Sequence, residues 1–465
     1  MSRGSRPAPT HRRGRHKAVR PDQVGRALRR ALLATVVPAL VLALGAWIFV
    51  GTASGSVVSL FSDPGDVLGL VAVLAIVWAL WMMLIVRTYS RHRAGRVSPG
   101  MRGAGAVGVL VMCLAVTAPM AMGARYALVT RDFVSSVFGD RGATTPNVTV
   151  ANPWGATKRV NVLLLGGDGA VHRPGVRTDS VILASISTTT GKATLFSLPR
   201  NLQDVPFKPG SKLAELYPNG FTDGTANNAE FFLNAVYRNV PAVHPGVLGK
   251  SDNEGADAVK LAVSGALGIP VDYYVLVNLS GFQQLVDAMG GITVNINERV
   301  PIGGNTDAHI LPDSYLEPGP NQRLNGFNAL WFTRGRFGST DYKRMERQRC
   351  AINAIADEAS PVKMLKRYTK LAKASKEIVR TDIPAKLLPA FVSLAGKVKG
   401  KPIRSVGFER SAAFDPNDPD FTYVHDRVYA ALHPKKKAAT ADKTPGDASN
   451  TNDDCAYNPT GGTIG

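Results

Sequence analysis

The sequence predicts an α/β fold, a three-layer α/β/α domain with a central mixed sheet, preceded by three transmembrane helices. Three observations carry that expectation. Long uncharged apolar runs fill much of residues 31–130, a polar stretch punctuated by Gly and Pro follows, and from residue 158 short apolar runs alternate with helix-length segments. Strand-length apolar runs between helices imply a sheet covered on both faces.

Residues 1–30 are rich in Arg, Pro and Gly and read as a disordered, basic cytoplasmic arm able to graze anionic lipid. The membrane region, 31–130, holds apolar runs at 31–50, 67–86 and 104–123, each near the ~20 residues that cross a bilayer. A cleaved signal peptide would carry a shorter apolar run and no further spans. The formal net charge of +20 suggests a nucleic-acid binder until its distribution is considered. Residues 1–30 hold ten Lys or Arg against one acid, and 87–104 hold five against none, together +14. The excess flanks the spans, whereas the short loop between the first two carries only Asp63 and Asp66. The positive-inside rule then places the N-terminus in the cytoplasm and everything after Arg125 outside the cell membrane. An outward-facing domain has no nucleic-acid partner.

Residues 131–157 read as a linker that lifts the soluble domain off the membrane. The domain itself, 158–432, begins with strands at 160–165, 181–186 and 193–198, followed by further strands at 272–277 and 292–296. Helices are predicted at 228–240, 257–267, 282–289, 343–356 and 361–378. Residues 433–465, with a lysine run and then Thr, Asp and Asn, read as a disordered tail.

Between Arg334 and Arg349 the chain places five arginines and Gln348 in sixteen residues. Guanidinium groups stay charged and match phosphate oxygens two at a time, so the cluster points to a phosphate or pyrophosphate ligand. On a helix, Arg344 and Gln348 share a face. A solvated basic face paired with Glu346 and Asp357 is the competing reading. Upstream, Asp168 leaves the first strand, Asp179 precedes the second, and Arg177 and Arg200 occupy neighbouring loop positions. Carboxylates and cations alternating around one rim suit a hard divalent cation, Mg2+ by preference, together with a pyrophosphate. Each aspartate could equally cap a loop. Of three cysteines, Cys113 lies in the third span. Cys350 and Cys455 are then external and form either a disulfide or two free thiols. Zinc spacing is absent, as are the phosphate loop, the zinc-protease motif and the serine-nucleophile turn.

Five motifs occur in order: Val162-Leu163-Leu164-Leu165-Gly166-Gly167-Asp168, Arg177-Thr178-Asp179-Ser180, Ser197-Leu198-Pro199-Arg200, Val286-Asp287-Ala288-Met289-Gly290-Gly291 and Arg344-Met345-Glu346-Arg347-Gln348. Together they resemble the LytR-CpsA-Psr family of bacterial cell-wall proteins, in the form found in high-GC Gram-positive bacteria. The resemblance implies a magnesium-dependent phosphotransferase. It would move a glycopolymer from a polyprenyl-pyrophosphate donor to a hydroxyl of peptidoglycan through a phosphodiester. It further implies that Asp168 and Asp179 hold the metal and that Arg177, Arg200, Arg334, Arg336, Arg344 and Gln348 surround the pyrophosphate. Asp179, Arg177, Arg200 and Arg344 would serve the chemistry, with Asp179 assisting removal of the acceptor proton.

The chain departs from the family pattern in places. Asn201 stands where an aspartate often follows Pro-Arg, and Phe232 replaces a lysine whose charge Lys212 could supply. Gly335 between Arg334 and Arg336 is expected to loosen that backbone. The lipid tail needs an apolar pocket, and Phe231, Phe232, Phe282, Leu285 and Phe332 are available, although ordinary core packing is the default for each. Two other functions fit the residues: a polyprenyl-pyrophosphate phosphatase using the same site, and a non-catalytic envelope sensor that binds wall precursors. Against the sensor, the cytoplasmic segments are too short to fold as a signalling domain.

Overall fold

The computed structural model describes residues 26, 28–40, 64–92, 99–138, 142–167, 177–306, 308–358, 379–434, 449–450 and 455–459. The chain divides into two compact units, one of Met1–Val57 with Gly65–Leu128 and the other of Val58–Pro64 with Val129–Gly465.

The described residues of the first unit are helical. Residues 28–40 form one helical segment, and α1 (Pro64–His92) and α2 (Pro99–Val137) follow. Among the described residues two helical stretches, Gly65–Arg91 and Gly103–Val137, are long and apolar enough to cross a membrane. Three were predicted. The described part of the first predicted span, residues 31–40, is too short to cross, and 41–50 lie outside the described residues. Ala31, Trp81, Ile85, Tyr89, Met112 and Val116 form the buried core of this unit. Gly105 permits that packing, because a Cβ there would stand 1.9 Å from the Tyr89 hydroxyl.

The second unit is a mixed α/β domain. Its elements run β1 (Arg159–Gly167), β2 (Thr178–Ser187), β3 (Ala193–Leu198), α3 (Lys212–Leu216), α4 (Val236–Val243), α5 (Glu254–Leu267), β4 (Tyr273–Asn278) and α6 (Leu279–Met289). Then come β5 (Ile292–Ile296), β6 (Val300–Asn305), β7 (Ile310–Leu316), β8 (Gly319–Leu324), α7 (Gly326–Arg334) and α8 (Asp341–Glu358). The domain closes with β9 (Val379–Thr381), α9 (Leu388–Val398), β10 (Arg404–Gly407), α10 (Phe421–Leu432) and β11 (Ser449–Asn450).

The central sheet has the order β11-β10-β3-β2-β1-β4-β9. It is mixed: β1–β4 and β3–β10 are parallel, and the other pairings are antiparallel. Alternation along the strands sends Leu163, Leu165, Leu183, Phe196 and Leu198 into one core with α5 and α10. Val160, Val162, Ile182, Ala184 and Leu195 face the other way, toward α8 and α9. Helix α5 is defined at both ends by its sequence. The Asn253 side chain accepts from the Ala256 N–H at 3.1 Å, and Gly268 closes the helix in the left-handed conformation at φ 68°.

The strand at 292–296 forms at its predicted limits but outside the central sheet, pairing with β8, while β6 and β7 make a separate hairpin. These two small sheets enclose another core with Val286, Phe332, Cys350, Ala351 and Ala354. Helix α8 therefore lies between two cores, because Ile352 and Ala356 pack on the central sheet. A disulfide joins Cys350 on α8 to Cys455, 105 residues away in sequence. The Asn295 and Asn297 amides donate to the carbonyls of Cys455 and Ala456 at 2.9 and 3.1 Å.

Within the segment read as a linker, residues 143–145 hydrogen-bond to the domain. Ala143 N–H donates to Asp257 Oδ2 at 2.8 Å, Thr144 Oγ1 to Asp257 Oδ1 at 2.5 Å, and Thr145 Oγ1 to Asp382 Oδ2 at 2.7 Å. Asp382 is also the partner of the buried Lys260 at 2.6 Å, and its Oδ1 accepts from Tyr274 N–H at 2.7 Å. The predicted helix at 361–378 lies outside the described residues.

Candidate functional site

The ends of β1 and β3 and the start of β2 share one rim of the central sheet, and the N-terminal turn of α8 meets it. The contact that fixes this meeting is Arg344, whose Nη1 donates to the Asp179 carbonyl at 2.9 Å. Its other edge grips Asp341, with Nε to Oδ1 at 3.0 Å and Nη2 to Oδ2 at 2.9 Å, a two-pronged pair made within one helical turn. Arg200 follows β3 and holds Asp179 Oδ1 at 2.7 Å through Nη1, while its Nε stands 3.6 Å from Asp341 Oδ1. Arg336 Nη1 approaches the same Asp341 oxygen at 3.8 Å. Three guanidinium groups from three parts of the chain thus surround one carboxylate.

Asp341 was not among the predicted site residues, although its position three before Arg344 was the available signal. Burial alone would raise its carboxyl, but the hydrogen bonds and charge of Arg344, with Arg200 and Arg336 behind, outweigh that and hold it below the ordinary range. Arg336 moves down, first through burial and then through the like charge of Arg200. The Arg336 side chain is 46% exposed and that of Arg200 27%, so both donors remain accessible to a solute.

The other predicted residues divide. Arg177 donates to Glu230 Oε1 and to the Ala229 carbonyl. Gln348 is buried, with its amide on the Thr333 carbonyl at 3.2 Å. Arg334 is exposed and lies over the Trp331 ring at 5.6 Å. Asp168 falls outside the described residues. Lys212 is exposed in the first turn of α3. Asp179 lies inside β2 rather than ahead of it.

Two arginines of the cluster serve the scaffold. Arg347 is buried, donating to the carbonyls of Phe332 and Gly335, and burial pulls its guanidinium down to about 10. Arg349 is buried too, 3.8 Å from Glu409. The partners of this helix therefore include Asp341, Glu298 and Glu409 and are not confined to the predicted Glu346 and Asp357. Nor is Gly335 a loose joint: its N–H donates to Trp331 O at 2.7 Å, and a Cβ there would come within 2.4 Å of Pro301 O. Glycine is required by close approach, which sets Arg334 and Arg336 on a fixed corner.

The apolar residues considered for a lipid pocket do not form one lining. Phe231 belongs to the core beneath α5, Phe282 and Phe332 to the core of the small sheets, and Leu285 to a third cluster. Among the described residues no group of three or more His, Cys, Asp or Glu stands close enough to hold a metal ion. Asp179 brings the hard oxygen chemistry that Mg2+ takes, with Oδ1 already engaged by Arg200.

The class that this fold and rim define is a mixed α/β domain whose sheet rim is lined by arginines organised around half-buried carboxylates. Residues 138–436 match the LytR_cpsA_psr family, and the chain belongs to that family. It is 28% identical over 285 residues to Biofilm regulatory protein A of Streptococcus mutans, covering 59% of this chain and 62% of that protein. It is 29% identical over 228 residues to the polyisoprenyl-teichoic acid–peptidoglycan teichoic acid transferase TagU of Oceanobacillus iheyensis, covering 48% of this chain and 59% of that one. The chain thus spans about six-tenths of the length of these curated relatives. Among solved structures, protein gbs0355 from Streptococcus agalactiae aligns with 26% identity and a TM-score of 0.44 over 64% of this chain and 94% of that one.

Proposed function

We propose that this protein is a membrane-anchored phosphotransferase that joins a polyprenyl-pyrophosphate-linked glycopolymer to peptidoglycan through a phosphodiester. The observation that carries the reading is the convergence of Arg200, Arg336 and Arg344 on Asp341 beside Asp179. Such a cluster offers several fixed cationic donors to a diphosphate and would neutralise the charge spread over phosphoryl oxygens in a transfer step. Family membership and the transferase named among the relatives support the same reading. In this proposal the N-terminus is cytoplasmic, the domain extracellular and the anchor multi-pass.

In the transfer, an acceptor hydroxyl oxygen attacks the sugar-linked phosphorus. The bond from that phosphorus to the bridging oxygen breaks, and polyprenyl phosphate leaves. Arg200, Arg336 and Arg344 hold the donor phosphates, Arg177 and Gln348 border them, and Arg334 extends the cationic edge. Asp179 takes the proton from the acceptor hydroxyl, held in place by Arg200 and by the grip of Arg344 on its carbonyl. Mg2+, with Asp168 and Asp179 as the residues to hold it, would offset donor charge.

The test is transfer of labelled glycopolymer from a polyprenyl-pyrophosphate donor to nascent peptidoglycan by the full-length protein. Conjugate should form with wild type and be lost with Arg344→Ala. Phosphate release without conjugate would identify a phosphatase instead. Full cellular function of Arg344→Ala would identify a sensor.

A further inference from the structure

Beside the Asp341 cluster, a different carboxylate is held by a different set of donors. Glu230 lies in a short turn, and its N–H is bound by the Asn228 side chain at 3.1 Å. Its Oε1 accepts from Arg177 Nη2, and its Oε2 accepts from Arg238 Nη2 and, at 3.1 Å, from the Asn239 amide. Arg238 is oriented by a 2.8 Å bond from its Nε to Asn239 Oδ1, and Asn239 also donates to the Glu230 carbonyl at 2.6 Å. Three nitrogen donors from two separate stretches of chain therefore grip one pair of oxygens. That is the way oxyanions are recognised.

Neither geometry nor exposure makes this a sealed structural pair. The side chains of Arg177, Arg238 and Glu230 are 26, 30 and 49% exposed, so a dissolved anion can reach the donors and the carboxylate can swing away. Arg177 stands two residues before Asp179, and the backbone of Asn234, between Glu230 and Arg238, donates to Arg200 O at 3.0 Å. The cradle thus shares its supports with the Asp341 cluster.

We infer that Arg177, Arg238 and Asn239 form a second oxyanion subsite for a phosphate group of the donor, occupied in the resting protein by the Glu230 carboxylate as an internal competitor. The inference rests on the transferase reading for its ligand class. Binding of a phosphate at this subsite exchanges one carboxylate for one phosphate and releases Glu230 to solvent.

This arrangement has an unusual sign. Removing the charge of Glu230 removes a competitor and tightens anion binding, whereas a merely structural salt bridge would leave binding unchanged or weaken it. Exposed charge pairs contribute up to about 1 kcal/mol, so Glu230→Gln is expected to tighten binding by roughly two- to fivefold and Arg238→Ala to weaken it by a similar factor. Farnesyl pyrophosphate is the probe, titrated calorimetrically into full-length protein in detergent, with Arg344→Ala as the control for the main cluster. Tighter binding by Glu230→Gln with weaker binding by Arg238→Ala supports the inference. Unchanged or weaker binding by Glu230→Gln overturns it, provided thermal melting shows that the variant is folded. If Glu230→Gln proves unfolded, Arg238→Ala decides: twofold or greater weakening supports the subsite, and unchanged binding overturns it. Arg344→Ala binding as tightly as wild type would instead sink the transferase reading, so the two failures are distinguishable.

Discussion

Removal of the Cys350–Cys455 cross-link measures how firmly the C-terminal residues brace the arginine helix. The bond closes a loop of 105 residues. In the chain-entropy description, opening a loop of that size frees the unfolded ensemble by about 4.7 kcal/mol, the upper end of the stabilisation expected. Cys455→Ser is the cleaner variant, because Cys455 is only partly buried whereas Cys350 lies in the core of the small sheets. The remaining Cys350 thiol packs there as a small apolar group. For a domain of this size each kcal/mol moves the melting point by roughly 2–4 °C, so the full effect approaches about 10–18 °C. The assay is thermal unfolding of full-length protein in detergent, followed by tryptophan fluorescence, with and without reductant. Wild type in reductant and Cys455→Ser should coincide, both well below oxidised wild type. A Cys455→Ser protein melting within about 2 °C of oxidised wild type would refute the reasoning.

Other outcomes follow from the same geometry. Arg344→Ala should lower transfer by about 10²–10³-fold, the range for removing one preorganised donor from an anionic transition state, read as initial rates with labelled donor. Lys260→Met should destabilise the fold by about 3–5 kcal/mol, because the Asp382 carboxylate would remain buried without its cation; urea unfolding measures it, and a Lys260→Met/Asp382→Leu pair should recover part of the loss. The depressed Asp341 carboxyl contributes stability that is fully present above its unfolded value of about 3.9 and is lost as pH falls through its lower folded value. Asp341→Asn should therefore flatten the acid limb of the stability curve below about pH 4, and an unaltered limb would remove Asp341 from the account.

The strands that hold the rim were legible because their apolar runs are local. The run at 193–198 coincides with β3 at the rim, and that at 292–296 with β5 away from it. The region 228–240 was not, since it becomes two 3-10 turns before α4 begins at Val236, with Asn234 buried behind Arg200. The hairpin of β6 and β7, rich in Gly and Pro, carries too weak an alternation to show as strands. Within the arginine cluster, sequence could supply the charges but not the division of labour. A helix with one apolar face would separate exposed from buried guanidinium groups by periodicity, and α8 has two such faces. Arg347 and Arg349 are consequently interior, and Arg344 reaches the rim. The disulfide, left open between two readings, depends on the approach of residues 105 apart, which no local pattern encodes.

The placement of α8 in the seam between two cores sets a condition on maturation. Arg344 meets the rim from a helix wedged against both cores, so a copy in which only one core has formed would lack that contact and the convergence of guanidinium groups it anchors.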